Sequence, residues 1–318
     1  MLGAPWDKLG TLTPDLQSEL NLPAMPITVG IHDSNAALLP YLVKYRSRDF
    51  VLNSTGTWCV AMHRVERVAY RADELGQKVI FNLDAFSRYH KTSFLMGGMD
   101  YGLYHDLIGG RDPGFNAKRV DAALAHGDRA VLPGAYPSQF PACRGGLRDG
   151  EATISLAALK KGSKPRWLAD AGHDLLNVSL ALQTEVALRR TDLGPETTIL
   201  IGGGFRNNPT FLAVLAALFP TNPLVLTSLS QASSAGAALL GHALIHQCHP
   251  LDLADGITIS ETRVTRPKLP HLAAYREAWQ DLVSGVQKSF KPKSKSKSKS
   301  KPKSKSKSKP KSKSQSKR

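Results

Sequence analysis

Residues 198–248 alternate between apolar strand-like runs and helix-like runs, and that alternation narrows the folds open to this chain more than any other feature. Ile199-Leu200-Ile201 reads as a strand, Gly202-Gly203-Gly204 as the turn after it, and Asn208-Pro209 as the start of a helix reaching residue 218. A strand over 223–227 and a helix over 231–248 complete a β-α-β-α unit. Crossover helices of this kind cover the faces of a parallel or mixed sheet, so an α/β fold with helices on both faces is expected. The turn also suits a nucleotide: the glycines let the backbone approach a ligand, Asn208 can cap the helix, and a helix N-terminus favours phosphate.

Two segments upstream place chemistry where apolar runs break into small polar residues. Pro26 to Ile31 reads as a strand running into a helix over 34–43, which puts Asp33 at the helix start, where a carboxylate is favoured. Both a general base and a helix cap fit that position, and His32 beside it fits either a base or a site-lining or capping histidine. Phe50 to Met62 reads as two strands around a tight turn, with Gly56 giving conformational freedom and Ser54, Thr55 and Thr57 offering hydroxyls that can wrap a phosphate. Further strands are expected over 79–83 and 92–96, and a long helix over 170–190. The Gly- and Pro-rich stretch 97–150 predicts loops with short helices around 101–107 and 116–125.

In order and spacing these segments resemble the FGGY carbohydrate kinases, sugar kinases of the actin-like, ribonuclease H-like ATPase superfamily. The His32-Asp33 and Thr57-Trp58 variants look most like the rhamnulose and fuculose kinase branch. The resemblance implies a ribonuclease H-like lobe over 27–250, with 1–26 as the remnant of an inter-lobe connection, 251–290 as a partly helical extension and 291–318 as a disordered tail. It implies Asp33 as the base that deprotonates the sugar hydroxyl, Ser54, Thr55, Gly56 and Thr57 as a phosphate loop, and Gly202, Gly203, Gly204 and Asn208 as the adenosine segment. His32 and Asn35 would then contact the sugar, Ser233 to Ala238 would pack behind the nucleotide, and the cofactors would be ATP and Mg²⁺, with no metal held by protein ligands alone.

The chain also departs from that family. Its members carry a Gln and an Asp in the helix after the glycines, and an acid just before the Gly-Ala-Ala segment; Ala213 to Ala217 and Ala232 to Ser234 hold none. The Asp-x-Gly-Thr hairpin that opens the family's first lobe has no counterpart in this sequence. Asp170-Ala171-Gly172 and Asp192-Leu193-Gly194 are the nearest strings, and both read as helix-boundary residues. The expectation is a second lobe whose first lobe resides elsewhere, with little turnover alone. Three function classes follow: a sugar kinase whose other lobe is a separate chain or was lost from the gene model, a non-catalytic binding protein with a polybasic tail, and a degenerate fragment.

Charge separates the tail from the rest. The net charge is +16, and residues 291–318 hold 13 Lys, one Arg and no acid, which leaves about +2 for residues 1–290. With 42% hydrophobic residues overall, that near-neutral part can bury a core. The tail has nothing apolar to bury. Three cysteines without paired spacing suit a reducing, cytoplasmic setting, and no signal peptide or apolar run of membrane-spanning length is read. His242, His246 and Cys248 with His249 have helical spacing, yet no carboxylate or second ligand cluster accompanies them, so they read as a polar helix end. No P-loop or dinucleotide fingerprint occurs. If the tail tethers polyanions, deleting 291–318 abolishes retention on a nucleic-acid column at low salt; unchanged retention refutes that role.

Overall fold

Strand β1 (Lys8–Thr11), helix α1 (Pro14–Leu20) and strand β2 (Pro26–Thr28) open the computed structural model, which describes residues 3–134, 136 and 140–284. The Lys-Ser segment 291–318 and the end of the expected 251–290 extension lie outside the described residues. Helix α2 (Asp33–Lys44) leads into β3 (Phe50–Thr55), β4 (Cys59–Arg64), β5 (Val79–Leu83) and β6 (Tyr89–Leu95). Helices α3 (Gly97–Ile108) and α4 (Ala117–Leu124) precede three short strands, β7 (Arg129–Leu132), β8 (Gly146–Asp149) and β9 (Ala152–Ile154). Then come α5 (Leu156–Lys160), α6 (Trp167–Arg189), β10 (Thr198–Gly203), α7 (Pro209–Leu218), β11 (Leu224–Thr227), α8 (Ala232–His246), β12 (Glu261–Arg263) and α9 (Leu272–Val283).

The main sheet runs β12-β11-β10-β3-β4-β6-β5. β3, β10 and β11 are parallel, whereas β4, β6, β5 and the edge strand β12 join antiparallel, so the sheet is mixed as expected. Register places Thr55 opposite Gly203, and Ile201 opposite Leu226, so the three parallel strands end together. In open α/β sheets ligands bind outside such carboxyl ends.

Strand alternation divides the core. Val51, Ala61, Ile199, Ile201 and Leu224 face a cluster built with α6, α7 and α9, while Phe50, Leu52, Met62, Leu200 and Val225 face Leu38, Tyr41 and Leu42 of α2. α6 is buried almost along its whole length, because the sheet lies on one side and α3, α4 and α7 on others. On the opposite face α2 and α8 cross closely. A Cβ at Gly236 would overlap the carbonyl oxygen of Ala36. Pro40 within α2 removes the donor that this carbonyl would otherwise take, so bare carbonyl meets bare glycine.

Three stretches differ from the sequence expectation. Within 97–150 the chain forms the longer helix α3 and strands β7 and β8, since pairing partners such as Arg129 and Asp149 are well separated in sequence and local patterning does not register them. The strand expected over 26–31 stops at Thr28, and Lys8–Thr11 pairs with it across α1. The 251–290 region contributes the edge strand β12 as well as a helix, α9, whose Tyr275, Trp279 and Val283 are buried in the core.

A fully buried Lys91 anchors the β6 side of the sheet. Its Nζ lies 2.7 Å from Glu74 Oε1 and 2.7 Å from Asp192 Oδ2, and Arg71 bridges both acids. Removing one partner of such a buried group leaves uncompensated charge. Lys91→Met is therefore expected to destabilise the fold by roughly 3–5 kcal/mol in urea unfolding; a loss under about 1 kcal/mol would show the network to be dispensable.

Candidate active site

The phosphate-loop candidate and the glycine triplet meet at the carboxyl ends of β3 and β10. Thr55, buried, donates its Oγ1 hydrogen to the Gly202 carbonyl (2.5 Å) and accepts the Phe205 N–H (3.0 Å). Gly203 adopts φ +79°, and a Cβ there would overlap the Thr55 carbonyl oxygen, so only glycine lets the strands close to this distance. The turn after Thr55 is tight, with the Gly56 N–H bonded to the Trp58 carbonyl at 3.0 Å.

Asn208 caps α7, as read from sequence: its Oδ1 accepts the Phe211 N–H at 3.0 Å. Its Nδ2 donates to Asn177 Oδ1 (2.7 Å), and Asn177 in turn donates to Asp112 Oδ2 (2.9 Å). The side chain is thus committed to holding the turn, and contact with a ligand falls to the backbone around it. Gly56, Gly204 and Asn208 line one cavity of about 280 Å³ together with Gly98, Tyr101, Phe205 and Asn207. Tyr101 and Phe205 meet edge-on there, with ring centroids 5.5 Å apart. Glycine backbone beside two aromatic rings suits a base next to phosphate, and the volume is close to the lower end for small-molecule sites. A larger cleft of about 690 Å³ opens at the far end of β3, among Tyr45 to Phe50, Arg64 to Glu66 and Ser87 to His90, and holds none of the sequence-predicted residues.

Asp33 lies at the same end of the sheet, in the first turn of α2. Ser233 Oγ, at the start of α8, donates to the Asp33 carbonyl at 3.2 Å, which ties the two helix starts together beyond the end of β11. The Asp33 carboxylate is 80% exposed; Oδ1 accepts the Ser34 N–H (2.6 Å) and stands 2.9 Å from His32 Nδ1, while Oδ2 bonds to no described residue. His32 Nδ1 accepts the same Ser34 N–H at 3.3 Å, so the two side chains share the capping of α2. Asn35 turns away: Nδ2 donates to the Leu83 carbonyl (2.8 Å) and Oδ1 accepts from Asn82 (3.1 Å), so in this arrangement it fastens α2 to β5. The 233–238 segment packs on α2 through Gly236 and lies apart from the residues that line the cavity.

Sequence reading passed over the residues that α3 brings to the cavity. Gly97-Gly98 follow β6 as the triplet follows β10, a strand–glycine–helix signal in a stretch read as loop. Asp100, one turn into α3, is buried with Oδ1 unpartnered among the described residues. Burial pushes its carboxyl up to about 6, only partly offset by backbone N–H groups of Tyr136 and Gly134. Cys59 beneath the hairpin is also fully buried, which pushes its thiol up to about 12 and leaves it unreactive.

A family model for the C-terminal domain of FGGY carbohydrate kinases matches residues 47–250. Ser54 to Thr57, the glycine triplet and Asn208 fall inside that match, and His32, Asp33 and Asn35 precede it. Among solved structures the chain is similar to a carbohydrate kinase from Novosphingobium aromaticivorans, with 22% identity and a TM-score of 0.63 over 89% of this chain and 57% of that one. A ligand-bound xylulose kinase from Lactobacillus acidophilus gives 13% identity and a TM-score of 0.64 over 89% and 56%. A glycerol kinase from Plasmodium falciparum with ADP gives 13% and 0.59 over 90% and 56%. No curated protein sequence matches. The chain therefore spans little more than half the length of the kinases it resembles. The fold is that of a ribonuclease H-like, actin-like ATPase lobe, as expected.

Asp100 supplies a pH test of this region. Its pKa in the folded chain is raised above the unfolded value of roughly 4, so its contribution to stability is complete below that value and is lost as pH rises through about 6. Asp100→Asn is expected to flatten the decline of the urea midpoint between about pH 4 and 6 relative to the parent chain. Parallel profiles for the two proteins would show that the carboxyl is not held in its neutral form.

Proposed function

The chain belongs to the FGGY carbohydrate kinase family through its C-terminal domain, and from that we propose that it is the nucleotide-facing half of an enzyme that phosphorylates a sugar hydroxyl with ATP. The observation that carries this reading is the Thr55 hydroxyl, which joins the hairpin turn to the glycine triplet beside a glycine- and aromatic-lined cavity. ATP, when bound, supplies the phosphoryl group. The base would stack near Tyr101 and Phe205, and the Ser54 to Thr57 turn would hold phosphate oxygens by backbone and hydroxyl donors.

Asp33 accepts the proton of the attacking hydroxyl through its free Oδ2, and the positive end of α2 stabilises the carboxylate. His32, whose Nδ1 accepts the Ser34 N–H, would contact the sugar through its other ring nitrogen. Among the described residues no group of three or more His, Cys, Asp or Glu converges on a metal site. Mg²⁺ suits such a site, since it is commonly held by one or two carboxylates, water and substrate phosphates. The sugar is a ketose or deoxy-sugar, of the rhamnulose or fuculose kind by the His32-Asp33 and Thr57-Trp58 pairs.

The kinases it resembles are longer, and the part that this chain does not span would supply the first lobe. Leu9, Leu16, Leu20, Leu22, Met25 and Ile27 of the β1-α1-β2 ribbon expose apolar side chains on which such a lobe can close. The free cysteines Cys59, Cys143 and Cys248 fit work in the reducing cytoplasm, and no helix of the described residues is long and apolar enough to cross a membrane.

ADP release tests the reading, with L-rhamnulose, L-fuculose and D-xylulose offered to the chain alone and mixed with a first-lobe polypeptide bearing Asp-x-Gly-Thr. Turnover is expected only from the mixture, and Asp33→Asn is expected to lower its kcat by about 10²–10⁴. Ordinary turnover by the lone chain refutes the two-part reading, and an undiminished kcat in the variant removes Asp33 as the base.

A further inference from the structure

Arg206 follows the glycine triplet in the short 3₁₀ turn Gly204–Asn207, at the carboxyl ends of the parallel strands. It is half-buried, and its Nε is shielded from solvent without a hydrogen-bond partner among the described residues. None of the ion pairs among those residues involves its guanidinium. A buried N–H of a permanently charged group without an acceptor is costly, and a chain that keeps one has an anion to meet there.

The surroundings agree in sign and position. Arg206 does not line the Tyr101–Phe205 cavity; its charge acts on the Tyr41 phenol, whose hydroxyl bonds to Thr227 Oγ1 at 2.7 Å on the α2 side of the sheet. Thr227 ends β11, and the chain after it leads into α8, where Ala232-Ser233-Ser234 carries no acid. α7 likewise has no acid in its first turn. Asp33, tied to the start of α8 through its carbonyl, forms no ion pair with Arg206 among the described residues. Among the described residues no carboxylate pairs with Arg206, which leaves its charge available to a bound group.

We propose that Arg206 is a phosphate-binding residue: it holds a phosphate of the bound nucleotide at the ends of β3, β10 and β11, between the triplet turn and the starts of α2 and α8. The assignment rests on the nucleotide reading above. It makes the site two-sided, with the base held by aromatic rings on the α3–α7 face and the phosphates drawn toward Asp33 by a cation on the α2–α8 face. Arginine suits the task because its planar fork matches two phosphate oxygens at once.

Calorimetric titration of the full chain with ADP and with adenosine tests this, at salt high enough to screen the Lys-rich tail. The parent is expected to bind ADP more tightly than adenosine. Arg206→Met should weaken ADP about 10- to 100-fold and leave adenosine unchanged, with partial recovery in Arg206→Lys. An unfolded variant would lose adenosine as well, so retained adenosine binding certifies the fold. ADP bound equally by the parent and Arg206→Met overturns the role of Arg206 and leaves the nucleotide reading standing. A parent chain that binds neither ADP nor adenosine overturns both.

Discussion

The close approach of β3 and β10 at Thr55 and Gly203 is the constraint on which the site depends. Parallel strands bring backbone ends into line, but they normally leave side chains between neighbouring turns. Here the glycine at 203 removes the Cβ that would strike the Thr55 carbonyl, and the Thr55 hydroxyl serves both an acceptor and a donor of the triplet turn. One buried hydroxyl therefore fixes two loops against each other without help from solvent-exposed contacts. That kind of preorganisation is what phosphoryl transfer demands, since positioning and charge supply most of the catalysis.

A second close approach sets the candidate base. Gly236 of α8 rests on the Ala36 carbonyl that Pro40 leaves without a helical donor, and Ser233 reaches the Asp33 carbonyl one turn earlier. Asn35 adds a tie from α2 to β5. The base thus rides on a helix gripped from two sides, although its carboxylate is itself open to solvent. On the same face Tyr41 of α2 bonds to Thr227 at the end of β11, which joins the helix to the sheet.

The 198–248 alternation was legible because each strand and helix there is long enough to show its own period, and because Gly, Asn and Pro punctuate them with distinct backbone preferences. The hairpin at 50–62 and the start of α2 were legible for the same reason. Residues 97–150 were not: β7 and β8 are four residues each and depend on partners distant in sequence, which local patterning does not weigh. Gly97-Gly98 carried a readable signal that the surrounding Gly and Pro obscured. Asn35 was placed on the right helix start, but which way its amide points depends on β5, a strand 47 residues downstream by its contact with Asn82.

Local chemistry along the chain was enough to establish an α/β lobe, its glycine turns and a carboxylate at a helix start, because caps, glycine turns and strand periods act over a few residues. Which of these residues face a ligand and which hold the frame was decided by tertiary packing. Asn208 and Asn35 spend their amides on distant partners and α3 closes the cavity, through contacts between segments tens of residues apart. The charge on Arg206 is visible in any reading of the sequence; that its Nε is shielded without a hydrogen-bond partner among the described residues is a property of the folded chain alone.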